Sequence, residues 1–190
     1  MTDNNIPSYD VDEVTLGQCI VYMDLYTAPT SAGVTPSTDV GAVDEVSFTA
    51  SRELLDLWQG TPQTLIQQWA VKETGVLTLK GWQWDYQQMY NILADGTTAY
   101  TSPTESLDFG GGYTVQPVQI RLMHQCPAGA TIYLDFWRAS GAGELTFNFN
   151  PTDFNKFDYN FNIWKGVSNW TAGSLTRGIR MFKYTRVKPP

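Results

Sequence analysis

His124 is the only histidine in the chain, and so the first side chain to weigh for acid–base work near neutral pH. It continues the alternation of Val118, Ile120 and Leu122, and no motif supplies a serine, cysteine or carboxylate partner. It reads as a structural or rim histidine. Asp153-Phe154-Asn155-Lys156-Phe157-Asp158 spaces oxygen ligands as a calcium loop does, but it lacks the central glycine and the closing glutamate and falls among strand-like residues. Gly110-Gly111-Gly112 is not followed by Lys-Ser/Thr and opens no helix, so it makes no phosphate loop. Cys19 and Cys126 belong to no Cys-x-x-Cys or Cys/His cluster. Carboxylates are numerous, as glycosidases require, yet no local motif pairs them. Catalytic, metal-binding and cofactor-binding residues are all expected to be absent, and the chain is not expected to be an enzyme.

Aromatic side chains are the remaining chemistry. Seven Trp and ten Tyr can stack sugars on an open sheet face, or they can fill a core and subunit interfaces. Core and interface is the preferred reading, with a carbohydrate-binding β-sandwich as the alternative.

The net charge of −7 argues against general attraction to nucleic acid or anionic lipid. Its distribution is uneven. Residues 1–51 hold eight acids and no Lys or Arg, and residues 159–190 hold six bases and no acid. Such ends can attract one another between copies, acidic front to basic tail. No run approaches the ~18 apolar residues of a membrane span, and no basic stretch leads into an apolar one as in a signal peptide. No membrane partner is expected, and both thiols are expected to stay free in a reducing cytoplasm.

The elements that would position these residues are mainly strands. The length suits one domain, 1–190, with a loose polar segment 1–12 and a basic segment 165–190. A β-rich stretch at Val14–Tyr26 places Cys19, Val21, Met23 and Leu25 on one face. Residues 27–44 and 97–113 show no periodicity and read as two long loops. A β segment from Thr64 to Trp84 carries Gly75 as a turn or bulge. Asp85–Ala94 reads as the one helix, capped by Asp85 with Gln88 at the third position. A Trp84/Met89 staple, a stripe of Tyr86, Met89, Tyr90 and Leu93, and a stop at Gly96 complete it. Later strands place Val118, Ile120 and Leu122, then Ile132, Leu134 and Phe136, then Leu145, Phe147 and Phe149, then Phe157, Tyr159, Phe161 and Ile163 on inner faces, and a last one runs from about Ile179 to Val187. About eight strands, one helix and two loops predict a mainly-β sandwich or barrel with a helix closing one side.

The most telling segment is Gly41–Gln63, GAVDEVSFTASRELLDLWQGTPQ. Val46, Phe48 and Ala50 alternate with Glu45, Ser47, Thr49, Ser51 and Glu53, which marks a strand with one wet face. At Leu54 the pattern changes. Leu54 and Trp58 continue the apolar face while Leu55 and Leu57 make the other face apolar too. SRELLDLWQG reads as the far end of one long strand, with a helix as the alternative because Arg, Glu and Leu are good helix formers.

The run VDEVSFTASRELLDLWQGTPQTLIQQWAVKETGVLTLKGWQWD resembles the tail tube protein family of tailed bacteriophages. That family shows an alternating strand, an acidic-apolar stretch, a QG-x-P turn, a long second strand and a short helix. GELTFNFNPTDFNKFDYNFNIW looks like its late β pair. The resemblance implies a barrel-like subunit forming hexameric rings that stack into a hollow tube around a tape-measure protein. Tail terminator and baseplate or tip proteins would meet its ends. DNA would leave through the lumen without specific binding. The subunit would assemble in the host cytoplasm and reside in the virion tail. Glu45, Ser47, Thr49, Ser51 and Glu53 are then the candidate channel wall. Leu55, Leu57 and Trp58 are the candidate subunit interface. The loop carrying Thr27, Pro29, Val34, Pro36, Asp39 and Val43 is the candidate ring-to-ring contact.

Overall fold

The computed structural model describes residues 19–26, 36–82, 86–93, 97–101, 104–108, 115–127, 129–145, 156–165, 171–172, 175–176 and 181–188. The chain is mainly β. Its strands are β1 (Cys19–Leu25), β2 (Val43–Gln59), β3 (Thr64–Gly81), β4 (Thr97–Thr101), β5 (Thr104–Asp108), β6 (Val118–Gln125), β7 (Thr131–Leu145), β8 (Phe157–Ile163), β9 (Thr171–Ala172), β10 (Leu175–Thr176) and β11 (Phe182–Val187). One helix, α1 (Tyr86–Leu93), follows β3. Seven strands form one antiparallel sheet in the order β1-β6-β7-β8-β3-β2, and β11 is paired to β7.

Alternation sets the inner face. In β8, Phe157, Tyr159, Phe161 and Ile163 are buried while Asp158 and Asn162 are exposed. The register carries that face across the sheet: Tyr159 lies opposite Leu79, and Phe161 opposite Leu77. In β1, Val21 and Met23 are fully buried, opposite Leu122 and Ile120 of β6. The sheet curls, so that Phe48 of β2 meets Phe136 of β7 at 4.8 Å and Phe182 of β11 at 5.0 Å between ring centroids, both edge to face. Such aromatic contacts add to the area they remove from water.

The seam between β1 and the start of β2 is made by the segment before β2. Met23 N donates to Thr38 O, Val40 N donates to Val21 O, and Tyr22 bridges Asp39. Asp24 secures the same segment, accepting hydrogen bonds from the backbone of Ser37 (2.7 Å) and Thr38 (3.3 Å). Burial alone would raise the Asp24 pKa, but the bonds from Thr38 and Ser37 outweigh it and hold the carboxyl below its ordinary value.

Several sequence expectations change. The stretch 97–113 reads as a loop in the sequence, yet β4 and β5 pair within it, from Thr97 opposite Asp108 to Thr101 opposite Thr104. Its Thr-rich composition suits strands, and strand pairing is a contact that periodicity over five residues is too short to reveal. Gly75 is neither turn nor bulge. It sits mid-strand between Ala50 and Ile163 because a Cβ there would lie 3.1 Å from Ile163 Cβ and 3.2 Å from Met181 Cε. The β2–β3 irregularities fall elsewhere, at Val43/Glu45, Glu53/Leu54 and Leu57/Trp58. The helix also docks through a different stripe. Gln88, Asn91 and Ile92 are buried, whereas Met89, Tyr90 and Leu93 are half-buried. Gln88 Nε2 donates to the Asp39 carbonyl at 3.1 Å, so hydrogen bonding chooses the buried face over hydrophobicity. Residues 83–85 and 94–96, with the expected caps Asp85 and Gly96 and the staple residue Trp84, lie outside the described residues, as does the side chain of Tyr86.

Candidate assembly surface

The segment SRELLDLWQG is a strand: β2 runs unbroken to Gln59, turns through Gly60 (φ 97°), and returns as β3 from Thr64. The positive φ is a conformation that glycine adopts without steric cost. β8 pairs with β3 only from Gly75 onward, so, among the described residues, 64–74 pair with β2 alone. Every residue from Thr49 to Thr74 is exposed. The result is a two-stranded arm. Nine residues on its outgoing side, Ser51–Gln59, reach about 30 Å beyond the body at ~3.3 Å per residue.

A free two-stranded ribbon is marginal in water. Polar pairs hold its root: Ser51 and Thr74 hydroxyls lie 2.5 Å apart, and Arg52 Nη2 meets Glu73 Oε1 at 2.6 Å. Farther out, Gln68 Nε2 donates to Asp56 Oδ1 at 2.8 Å. These groups are exposed, and such pairs contribute little. Beyond them the arm is apolar on both sides. Direct partners share a face, so Leu55 with Trp69 lies on one side and Leu54 with Ala70 on the other. Leu55 is 57% exposed, Trp58 52% and Ile66 56%; Leu54, Leu57, Leu65, Trp69 and Val71 are exposed as well. Shared between the two faces, they present apolar surface comparable to the ~300–600 Å² of the largest patch on a typical monomer.

The candidate interface residues Leu55, Leu57 and Trp58 are thus brought together on the arm. Sequence reading missed the apolar residues of the returning strand: Trp69 and Leu65, opposite Leu55 and Trp58, and Val71 and Ile66 at the two register shifts. The signal was present in TLIQQWAV, whose consecutive Leu65-Ile66 and Ala70-Val71 break alternation as Leu54-Leu55 does.

The candidate channel-wall residues also share a face. Glu45, Ser47, Thr49, Ser51 and Glu53 are all exposed, opposite Lys80, Thr78, Val76, Thr74 and Lys72. β8 extends this face with Asp158, Asn160 and Asn162, and Thr78 Oγ1 donates to Asn160 Oδ1 at 2.8 Å. The face is far less acidic than β2 alone suggests. Three carboxylates (Glu45, Glu53, Asp158) stand among two ammonium groups (Lys72, Lys80). The hydrogen bond from Lys80 to Glu45 raises the lysine pKa.

The expected ring-to-ring loop divides. Thr27, Pro29 and Val34 lie outside the described residues. Pro36 is buried, Asp39 is bridged to Tyr22, and Val43 opens β2, so that half is part of the body.

Other aromatics are engaged by cations of the chain itself. Lys156 Nζ lies 5.2 Å from the Trp82 ring centroid and 2.9 Å from Asp44 Oδ2, which lowers the Asp44 pKa. Arg138 lies over Trp164 at 4.7 Å and Tyr26 at 5.8 Å. His124 lies on the inner face of β6, opposite Cys19. Cys126 is buried and Cys19 half-buried, and burial raises the Cys19 pKa. Asp153, Phe154 and Asn155 lie outside the described residues, as do Gly110–Gly112, Phe147 and Phe149. Among the described residues no cluster of three or more His, Cys, Asp or Glu side chains is placed to hold a metal ion. No described helix is long and apolar enough to cross a membrane. No protein-family model matches the chain, and no curated protein matches it.

Proposed function

We propose that this chain is a self-assembling structural subunit whose copies form hexameric rings, stacked into a hollow tube of the phage tail-tube kind that conducts DNA. The arm carries this reading. A ribbon that is apolar on both faces and, among the described residues, paired along neither outer edge is a poor element for a lone subunit and a good one for an assembly. Neighbouring copies would bury both faces and add strands to its edges. The hydroxyl- and amide-rich face of β2, β3 and β8 suits a channel wall, since nearly balanced charge neither binds phosphates nor strongly repels them. The hexameric number, the virion-tail location and the tape-measure, terminator and baseplate partners rest on the family resemblance.

A sugar platform is less well supported. Trp58 and Trp69 lie on opposite faces of the arm, and Trp82 and Trp164 carry Lys156 and Arg138 over their rings. The test is negative-stain microscopy of the concentrated purified protein, with sedimentation across a concentration and salt series. Rings or hollow tubes that weaken as salt rises are expected. A monomer at every concentration, with binding on a glycan array, would replace this reading with the carbohydrate one.

A further inference from the structure

A groove of roughly 580 Å³ opens where the arm leaves the body. One wall is the arm root, with Ala50, Arg52 and Glu73; the other is the start of β11, with Met181 and Phe182. The inner face of the arm runs outward from this groove through Arg52 and Leu54 toward Trp58, so groove and arm form one continuous surface. We infer that the groove is the socket for the arm tip of a second copy, with Trp58 and Leu65 as the inserted knob. The inference rests on the self-assembly reading and adds the place where the arm is received.

The occupant follows from geometry and area. Trp58 stands eight residues from Ala50 along β2, about 25 Å at ~3.3 Å per residue, so a paired ribbon cannot fold its tip into its own root. The knob and socket of one chain therefore cannot meet each other, and a second copy brings the complement of both. The exposed apolar surface of the arm, summed over its two faces, is comparable to the ~800 Å² per partner that a stable interface buries, which a second copy gripping the arm supplies. The socket also fits chemically. Met181 and Phe182 offer an apolar wall for Trp58, and the Arg52–Glu73 pair lies at the rim, where water still reaches it.

A benzophenone amino acid placed at position 58 and irradiated in the assembled full-length protein should cross-link to another copy at residues 50–52, 73–74 or 181–182, as mapped by mass spectrometry. A second variant, Ala50→Arg, fills the socket from an exposed position. It should raise the dissociation constant by about tenfold or more, as loss of a central contact does, with an unchanged circular dichroism spectrum. Cross-links between copies that map elsewhere would overturn the socket while leaving self-assembly intact. A wild-type protein that stays monomeric, with no cross-link between copies, would overturn both.

Discussion

Lys80 Nζ donates a hydrogen bond to Glu45 Oε2 at 2.5 Å across the first pairs of β2 and β3. The same register sets Glu53 opposite Lys72. The acidic edge seen in β2 is thereby matched, lysine for glutamate, by the neighbouring strand.

If this face lines a channel, its charge balance is what keeps DNA from sticking. The double variant Glu45→Lys, Glu53→Lys would set four lysines along two adjacent strands. It should still assemble, because both glutamates are exposed, and it should acquire salt-dependent retention of double-stranded DNA that the parent lacks. Gel-shift and co-sedimentation assays across a salt series measure this. Equal DNA retention by the two assembled proteins would remove the face from the channel.

The arm should matter to assembly and little to the fold of one chain. Leu55 and Leu57 are exposed on the same side of β2, so Leu55→Glu with Leu57→Glu removes no core contact. Each surface change of this kind shifts stability by about 0.5 kcal/mol or less. The variant should melt with the parent monomer but fail to form rings. Sedimentation velocity and thermal melts of the diluted protein separate the two effects, and undiminished assembly would sink the arm's role.

Asp24 makes the β1 seam sensitive to acid. Its folded pKa lies below the ordinary 3.8, so its contribution is present above that value and is lost as pH falls through the folded pKa. Asp24→Asn should lower stability at neutral pH and lessen the loss of stability on acidification below about pH 4. Urea midpoints measured from pH 7 to pH 2 for both proteins give the comparison; parallel curves would mean that other carboxylates dominate.

Helix α1 sits directly on Gly141 of β7, where a Cβ would press into the Ile92 carbonyl oxygen. Gly141→Ala must therefore move the helix away from the sheet. A cost of about 1–3 kcal/mol is expected for such overpacking, with Gln88 losing its bond to the Asp39 carbonyl. A melting temperature equal to the parent's would show that the helix accommodates the methyl group freely.

Which residues face inward was largely legible in the sequence. Alternation put Phe157, Tyr159, Phe161 and Ile163 on one face, and all four are buried. These are local properties, because a period of two is written into each strand. The switch at Leu54 falls where β2 has left the body: Leu54 and Trp58, which alternation puts on the inner face of Val46 and Phe48, are exposed on the arm and not covered by the chain's own core. The helix was placed but its buried stripe was not, since the Gln88–Asp39 contact joins residues far apart in the chain. The β4–β5 ribbon was missed because its evidence is a pairing between two short segments.

The amino-acid sequence by itself thus determined the strands, their inner faces and the doubly apolar run from Leu54 to Trp58. Only the tertiary structure decided that this run stands in an arm clear of the body, that Trp69 and Ile66 join it from the returning strand, and that Lys72 and Lys80 balance Glu53 and Glu45. The reason is physical. Side-chain periodicity records what one strand must bury, whereas register and strand order record which distant segment it meets, and those are set by pairing across the whole sheet.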